Sequence, residues 1–243
     1  MSDVLEALRG GLVVSVQAPE GSPLADASVL AAMARAAELG GAAGIRAQDV
    51  RAVKEAVQLP VIGLRKRRVE GSEVYITPTV DDARAVAAAG ADIIAADATL
   101  RAHPGALSAD RFIASLVAEL SQPVLADVDS LEAGLAAREA GAAAVATTLA
   151  GYTGGTTSAP RAAPPASDAA AATAGPDLDL VAALASELDC PVLAEGRLAT
   201  PDDVRAALDA GAFAVVVGTA ITDPLALTRR FAAAARGRVH AAR

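Results

Sequence analysis

The apolar run "VIGL" at residues 61–64 ends in four consecutive cations, Arg65, Lys66, Arg67 and Arg68. Side chains alternate along an extended strand, so Lys66 shares the face of Ile62 and Leu64 while Arg65 and Arg67 point the other way. Two carboxylates, Asp127 and Glu195, each follow the same four residues, "PVLA", and so take equivalent places in two further strands. A lysine made less basic by burial or by neighbouring arginines accepts a proton near neutral pH, and a carboxylate on another strand moves protons on a substrate's oxygens. That pairing suits proton abstraction next to a carbonyl. A solvated loop lysine is the plain alternative for Lys66, and for Asp127 a structural carboxylate stands open beside a substrate contact.

These groups need a scaffold that brings distant strand ends together, and internal repetition supplies one. Residues 36–47, 86–99, 137–151 and 207–220 each read as an alanine-rich helix end, a glycine and an apolar run. Glycine past a helix takes the left-handed cap conformation without steric penalty, and the run after it reads as a strand buried on both faces. Proline announces further strands at "LPVIGL", "QPVLAD" and "CPVLAE". The strand-like runs are 11–17, 43–46, 61–66, 92–97, 124–127, 143–147, 192–195 and 213–218, with helical patterns between them such as 129–140 and 201–210, the latter capped by Thr200. Strict alternation of strand and helix predicts one α/β domain over residues 1–243, a (β/α)8 TIM barrel. An open doubly wound sheet is the alternative, weakened because no GxGxxG follows the first strand. Residues 154–177, rich in Gly, Pro, Ser and Ala, read as a flexible loop after the sixth strand.

In such a barrel the ligand sits at the carboxyl ends of the strands. The candidates there are Gln17, Arg46, Lys66, Asp97 with Thr99, Asp127, Thr147 with Thr148, Glu195 with Arg197, and Gly218 with Thr219. The turns "AEGRLATPDD" and "VVVGTAITDP" follow strands seven and eight, where barrels hold phosphate, and Gly196 and Gly218 allow backbone N–H groups to approach an anion closely.

Composition narrows the partners. A net charge of −8 leaves no basic face for nucleic acid, and no apolar segment has the length and purity of a membrane span. A single cysteine, Cys190, allows no internal disulfide, and the N-terminus lacks the pattern of a signal peptide, so a cytoplasmic protein is expected. Two histidines without clustered cysteines offer little for a metal, and no metal site is expected. Only 2% of residues are aromatic, so the core must be aliphatic; alanine-rich helix faces would allow a homodimer.

The strand ends together resemble the N-acetylmannosamine-6-phosphate 2-epimerases of bacterial sialic-acid catabolism. The matching stretches, "GLVVSVQAPEGSPL", "GGAAGIRA", "PVIGLRKR", "SEVYITPT", "GADIIAADATLRAHP", "TTLAGYT", "PVLAEGR" and "VVVGTAIT", run in the family's order over nearly the whole chain. The resemblance implies interconversion of N-acetylmannosamine 6-phosphate and N-acetylglucosamine 6-phosphate without metal or nucleotide cofactor. It implies Lys66 as the group exchanging the C2 proton of the opened sugar and Glu195 as its partner in ring opening and proton transfer. Gln17, Arg46 and Asp127 fall on positions that look like substrate contacts, and Gly218 with Thr219 on part of the phosphate cradle. The chain departs from the family in having Asp223 where an arginine is usual in the "AITDP" turn, Ala150 in "TTLAGYT" and Arg68 in "KRRV"; Arg197, Arg68 or Arg161 could supply the missing charge. Another phosphosugar epimerase or isomerase with a shifted substrate, and a non-catalytic barrel that binds sugar phosphates, remain open readings.

Overall fold

Apolar runs flanked by alanine-rich helices bury both faces either in an open sheet covered by helices on both sides or in a closed barrel with helices outside it and side chains inside it. The structure, a computed structural model that describes residues 2–18, 21–153 and 175–237, is such a closed parallel barrel, with its eight strands in sequential order. The strands are β1 Leu12–Val16, β2 Gly44–Ala47, β3 Val61–Gly63, β4 Ile93–Asp97, β5 Val124–Asp127, β6 Ala144–Ala146, β7 Val192–Glu195 and β8 Ala214–Val217. The helices between them are α2 Ala27–Leu39, α3 Val50–Ala56, α4 Val80–Ala88, α5 Ala109–Glu119, α6 Leu131–Glu139, α7 Leu178–Glu187 and α8 Pro201–Asp209. A short α1, Asp3–Glu6, precedes the barrel, and α9 Thr219–Thr222 and α10 Pro224–Gly237 follow it. Among the described residues no helix is long and apolar enough to cross a membrane.

Period-two alternation sorts the core into two layers. Val13, Ile62, Leu64, Ile93, Leu125, Leu193 and Val216 fill the barrel, where Leu5 and Leu8 join them. Their neighbours Val14, Ile45, Ile94, Val124 and Val145 face the helices. Gly44 is required by the inner layer, because a Cβ there would lie 2.6 Å from Leu8 Cδ2. The predicted caps form: Thr200 and Asp203 make a reciprocal capping box at α8, and Gly90, Gly141 and Gly211 take left-handed conformations after their helices.

The predicted strand 61–66 stops at Gly63, three residues early. Beyond Leu64, whose N–H still donates to Ala47 O at 3.0 Å, the backbone leaves the ladder and folds back on itself. Lys66 then pairs antiparallel with Ile76, and Arg67 N–H donates to Tyr75 O at 2.9 Å. A tight return at Thr77, with φ of 47°, is held by its hydroxyl donating to Ala95 O at 2.6 Å. Most of the predicted loop 154–177 lies outside the described residues; its last residue, Asp177, caps α7 by accepting from Leu180 N–H at 3.0 Å.

Candidate functional site

Inward-facing positions at the carboxyl ends of β2, β5 and β7 carry their side chains into one polar cluster. Arg46, two residues beyond Gly44 on β2, is 1% exposed and lies at the centre. Its Nη1 donates to Asp127 Oδ1 at 3.0 Å and its Nη2 to Asp127 Oδ2 at 2.6 Å, a bidentate pair between β2 and β5. The same Nη1 lies 3.1 Å from Glu195 Oε2 at the end of β7. One guanidinium thus joins two carboxylates that the chain separates widely.

Thr148 completes the arrangement, with its Oγ1 2.6 Å from Asp127 Oδ1 and 3.1 Å from Glu195 Oε2. A hydroxyl has one proton to donate. That proton can turn to either carboxylate, and donated to Glu195 it favours the ionised acid, so the three groups share protons in a line. Thr147, the residue named from the strand end, is placed differently: its hydroxyl donates to Glu195 O at 2.9 Å and accepts from Glu195 N–H at 3.0 Å. It ties β6 to β7, and of the two threonines Thr148 is the one that meets the carboxylates. Parity carried this signal, since Ala144 and Ala146 face inward and Thr148 is next in phase.

Lys66 enters the same mouth from the fold-back after β3. Solvent reaches the residue through the open mouth, yet the wall atoms around its ammonium desolvate it, and together with Arg46 they lower its pKa against the pull of Glu195 and Asp127. Burial raises the Glu195 pKa; Arg46, Thr148 and Lys66 oppose this, while Asp127 adds to it. The two groups are therefore driven toward each other on the pH scale, which suits them to exchange protons with one ligand. Arg46 stays charged, because the two carboxylates outweigh its own desolvation.

A second guanidinium–carboxylate pair stands beside the first. Asp97 lies directly across from Asp127 in the β4–β5 register and is fully buried. It accepts from Thr99 N–H at 3.0 Å, Thr99 Oγ1 at 2.7 Å and Arg101 Nη2 at 2.7 Å. Burial pushes its pKa up to about 6 against Arg101 and Thr99. Tyr75 packs on the inner core, and burial with Asp97 and Asp127 raises its phenol. Neither Arg101 nor Tyr75 ends a strand, so strand-end position carries no signal for them; both lie on loops, which Arg101 Nη1 joins by donating to Glu73 O at 3.3 Å. His103, stacked on Phe112 with centroids 3.9 Å apart, meets Pro78 O through Nδ1 at 3.2 Å and joins those two loops.

The remaining candidates fall at the rim. Gln17 Nε2 donates to Ser15 Oγ at 2.7 Å, while Gln17 Oε1 and Arg46 Nε are buried without a partner among the described residues. Gly196 and Arg197 both have positive φ, at 110° and 58°. Arg197 donates to Ala150 O at 2.6 Å and Gly175 O at 2.8 Å, so it ties the β7 turn to the segments on either side of residues 154–174. Gly218 caps α9, and a Cβ on it would sit 3.3 Å from Ser15 Cβ; Thr219 beside it is exposed. Asp223 accepts from Ala226 N–H at 2.9 Å and so caps α10, which gives the acid in that turn a structural task. Arg68 is exposed and pairs with no described acid, and Arg161 lies outside the described residues. Among the described residues no group of three or more His, Cys, Asp or Glu is placed to hold a metal.

Thr148→Val removes a hydrogen bond that favours ionised Glu195, so the Glu195 carboxyl should titrate at higher pH than in the parent. Carbon-13 NMR of the glutamate carboxyls checks this, with Thr148→Ser, which keeps the hydroxyl, titrating as the parent does. An unmoved Glu195 in the valine variant would remove Thr148 from the proton line.

A family model described as "Putative N-acetylmannosamine-6-phosphate epimerase" matches residues 30–237. Two relatives that carry this name as a 2-epimerase are similar over most of their length. That of Cutibacterium acnes is 47% identical over 96% of this chain and 97% of its own. That of Caldanaerobacter subterraneus subsp. tengcongensis is 43% identical over 94% and 92%. A solved structure of the N-acetylmannosamine-6-phosphate 2-epimerase from Clostridium perfringens superimposes with a TM-score of 0.84 at 35% identity, over 95% of this chain and 96% of that one.

Proposed function

We infer the reaction from one premise: this chain belongs to the N-acetylmannosamine-6-phosphate epimerase family. It interconverts N-acetylmannosamine 6-phosphate and N-acetylglucosamine 6-phosphate by exchanging the proton at C2, a step in the breakdown of amino sugars such as sialic acid. The observation that carries this reading is the convergence of Lys66 and Glu195 on one mouth, with their pKa values driven toward each other around a fixed Arg46–Asp127 pair.

Glu195 moves a proton on the ring and carbonyl oxygens as the sugar opens, and neutral Lys66 takes the C2 proton. The C2–H electrons pass into the C1–C2 bond while the C1 carbonyl oxygen gains a proton or hydrogen bond, giving a planar C2. Rotation about the C2–C3 bond turns the other face of the planar C2 to the Lys66 ammonium, which returns a proton there, giving the epimer and neutral Lys66 again. Gln17 Oε1 and Arg46 Nε are unused hydrogen-bonding atoms that sugar oxygens and amide can pair with. The phosphate takes the turns at Gly196 and Gly218–Thr219, where the Asp223 carboxylate is already engaged by the start of α10.

Purified protein incubated with N-acetylmannosamine 6-phosphate in heavy water should place deuterium at C2 of both sugars, read by proton NMR. Absence of exchange at high enzyme concentration sinks the reading. Asp223 favours a shifted substrate as the second reading, and faster exchange on unphosphorylated N-acetylmannosamine would select it.

A further inference from the structure

Two of the four consecutive cations are tied to one carboxylate. Asp82, in the first turn of α4, is 2% exposed. It accepts from Arg67 Nε at 2.9 Å, from Arg67 Nη2 at 2.6 Å and from Thr79 Oγ1 at 2.6 Å, and Arg65 Nη1 lies 3.5 Å away. Burial alone would raise its pKa, but Arg67, Thr79 and Arg65 overcome that and hold it below its usual range. Between the two arginines, Lys66 is fixed at its backbone by Gln48 Oε1, 3.2 Å from its N–H, and by the antiparallel bridge to Ile76. In an extended chain, anchoring residues on both sides of a position to one face turns that position to the opposite face.

We propose that Asp82 is a positioning residue for Lys66: by holding Arg65 and Arg67 against α4, it directs the lysine into the barrel mouth and keeps the flanking guanidiniums away from it. This rests on Lys66 as the base. Asp82 touches no reacting atom, and the cap on α4 does not need its charge, since Thr79 Oγ1 accepts from the Asp82 backbone N–H at 3.2 Å.

The chain holds only two lysines, Lys54 and Lys66, so reductive methylation with carbon-13 formaldehyde leaves two lysine signals. Lys54, 2.9 Å from Asp92, is the internal control. Asp82→Asn should lower kcat by about ten- to a hundredfold, the range expected for a misplaced reacting group, with KM changed less than about threefold. The Lys66 methyl resonance should shift or broaden while Lys54 keeps the parent's position, and Asp82→Glu should recover part of kcat. Parent-like kcat in Asp82→Asn overturns the proposal. So does a loss in which both lysine signals and the melting temperature move together, which would mark a structural role. Should Asp82→Asn not fold, Arg67→Gln decides, with the same kcat loss expected and parent-like kcat overturning. The Lys66 resonance reports placement whatever the substrate, so a failed epimerase assay would not be confused with a failed positioning role.

Discussion

Lys66→Arg should slow deuterium exchange at C2 by about a thousandfold, within the range general-base catalysis contributes, while the melting temperature stays within a few degrees. The substitution keeps the charge and most of the stem. What it removes is the ability to exist neutral, because a guanidinium holds its proton above about pH 12. The parent should show the matching pH dependence. Burial and Arg46 lower the Lys66 pKa, so the neutral fraction, and with it kcat/KM, rises with pH through a midpoint below the ordinary lysine value of 10.5. Lys54 cannot substitute, being held by Asp92 on the outside of the barrel. Isotope exchange followed by NMR over a pH series checks both points. An arginine variant that exchanges at the parent's rate would take the base assignment away from Lys66.

Arg46→Leu should lower stability by about 3–5 kcal/mol near neutral pH, the loss expected when one member of a buried ion cluster is removed. For a chain of this length that corresponds to a fall in Tm on the order of 10 °C. The cause is Asp127 and Glu195, which would be left desolvated at the centre of the barrel with Thr148 as their shared neutral donor. The sign with pH follows from the same charges. Without Arg46 the Glu195 carboxyl, which burial already pushes up, loses the charge that most opposes that shift, so protonation relieves the deficit at low pH and ionisation restores it as pH rises. The gap to the parent should therefore be smaller at pH 5 than at pH 8 in urea titrations. Adding Asp127→Asn should recover part of the loss, since it removes one uncompensated charge. A deficit that is the same at both pH values would mean that the cluster is solvated and that Arg46 stabilises by packing alone.

Much of the scaffold follows from local patterns. Glycine-terminated helices and proline-led apolar runs mark seven of the eight strands, β1 being read from its apolar run alone, and β5 and β7 match their predicted bounds residue for residue. The one large boundary difference, at β3, falls on Lys66, the base of the proposed reaction. Gly63 is the last ladder position there, and a Cβ on it would lie within 2.8 Å of Val50, Val86 and Ala91, so α3 and α4 press against the strand at the point where the chain departs. Nothing local distinguishes a strand that continues from one that folds back onto Ile76.

By itself the sequence determined the alternation of strand and helix that makes the barrel and the inward phase that sets Lys66 apart from its neighbours, because both rest on patterns that a short stretch reveals. Its cations carry the same information: nearly all are arginine, and the lysine flanked by arginines stands where a group that can lose its proton is useful. The tertiary structure decided the partners. Closure of the sheet brings Arg46 to Asp127 and Glu195, turns the Thr148 hydroxyl to both carboxylates, engages Arg197 and Asp223 with backbone groups, and sets Asp82 behind the arginines beside Lys66. Side-chain phase is a local property of the backbone, whereas pairing between groups far apart in the chain depends on how the strands close around the axis, and only the folded barrel expresses that.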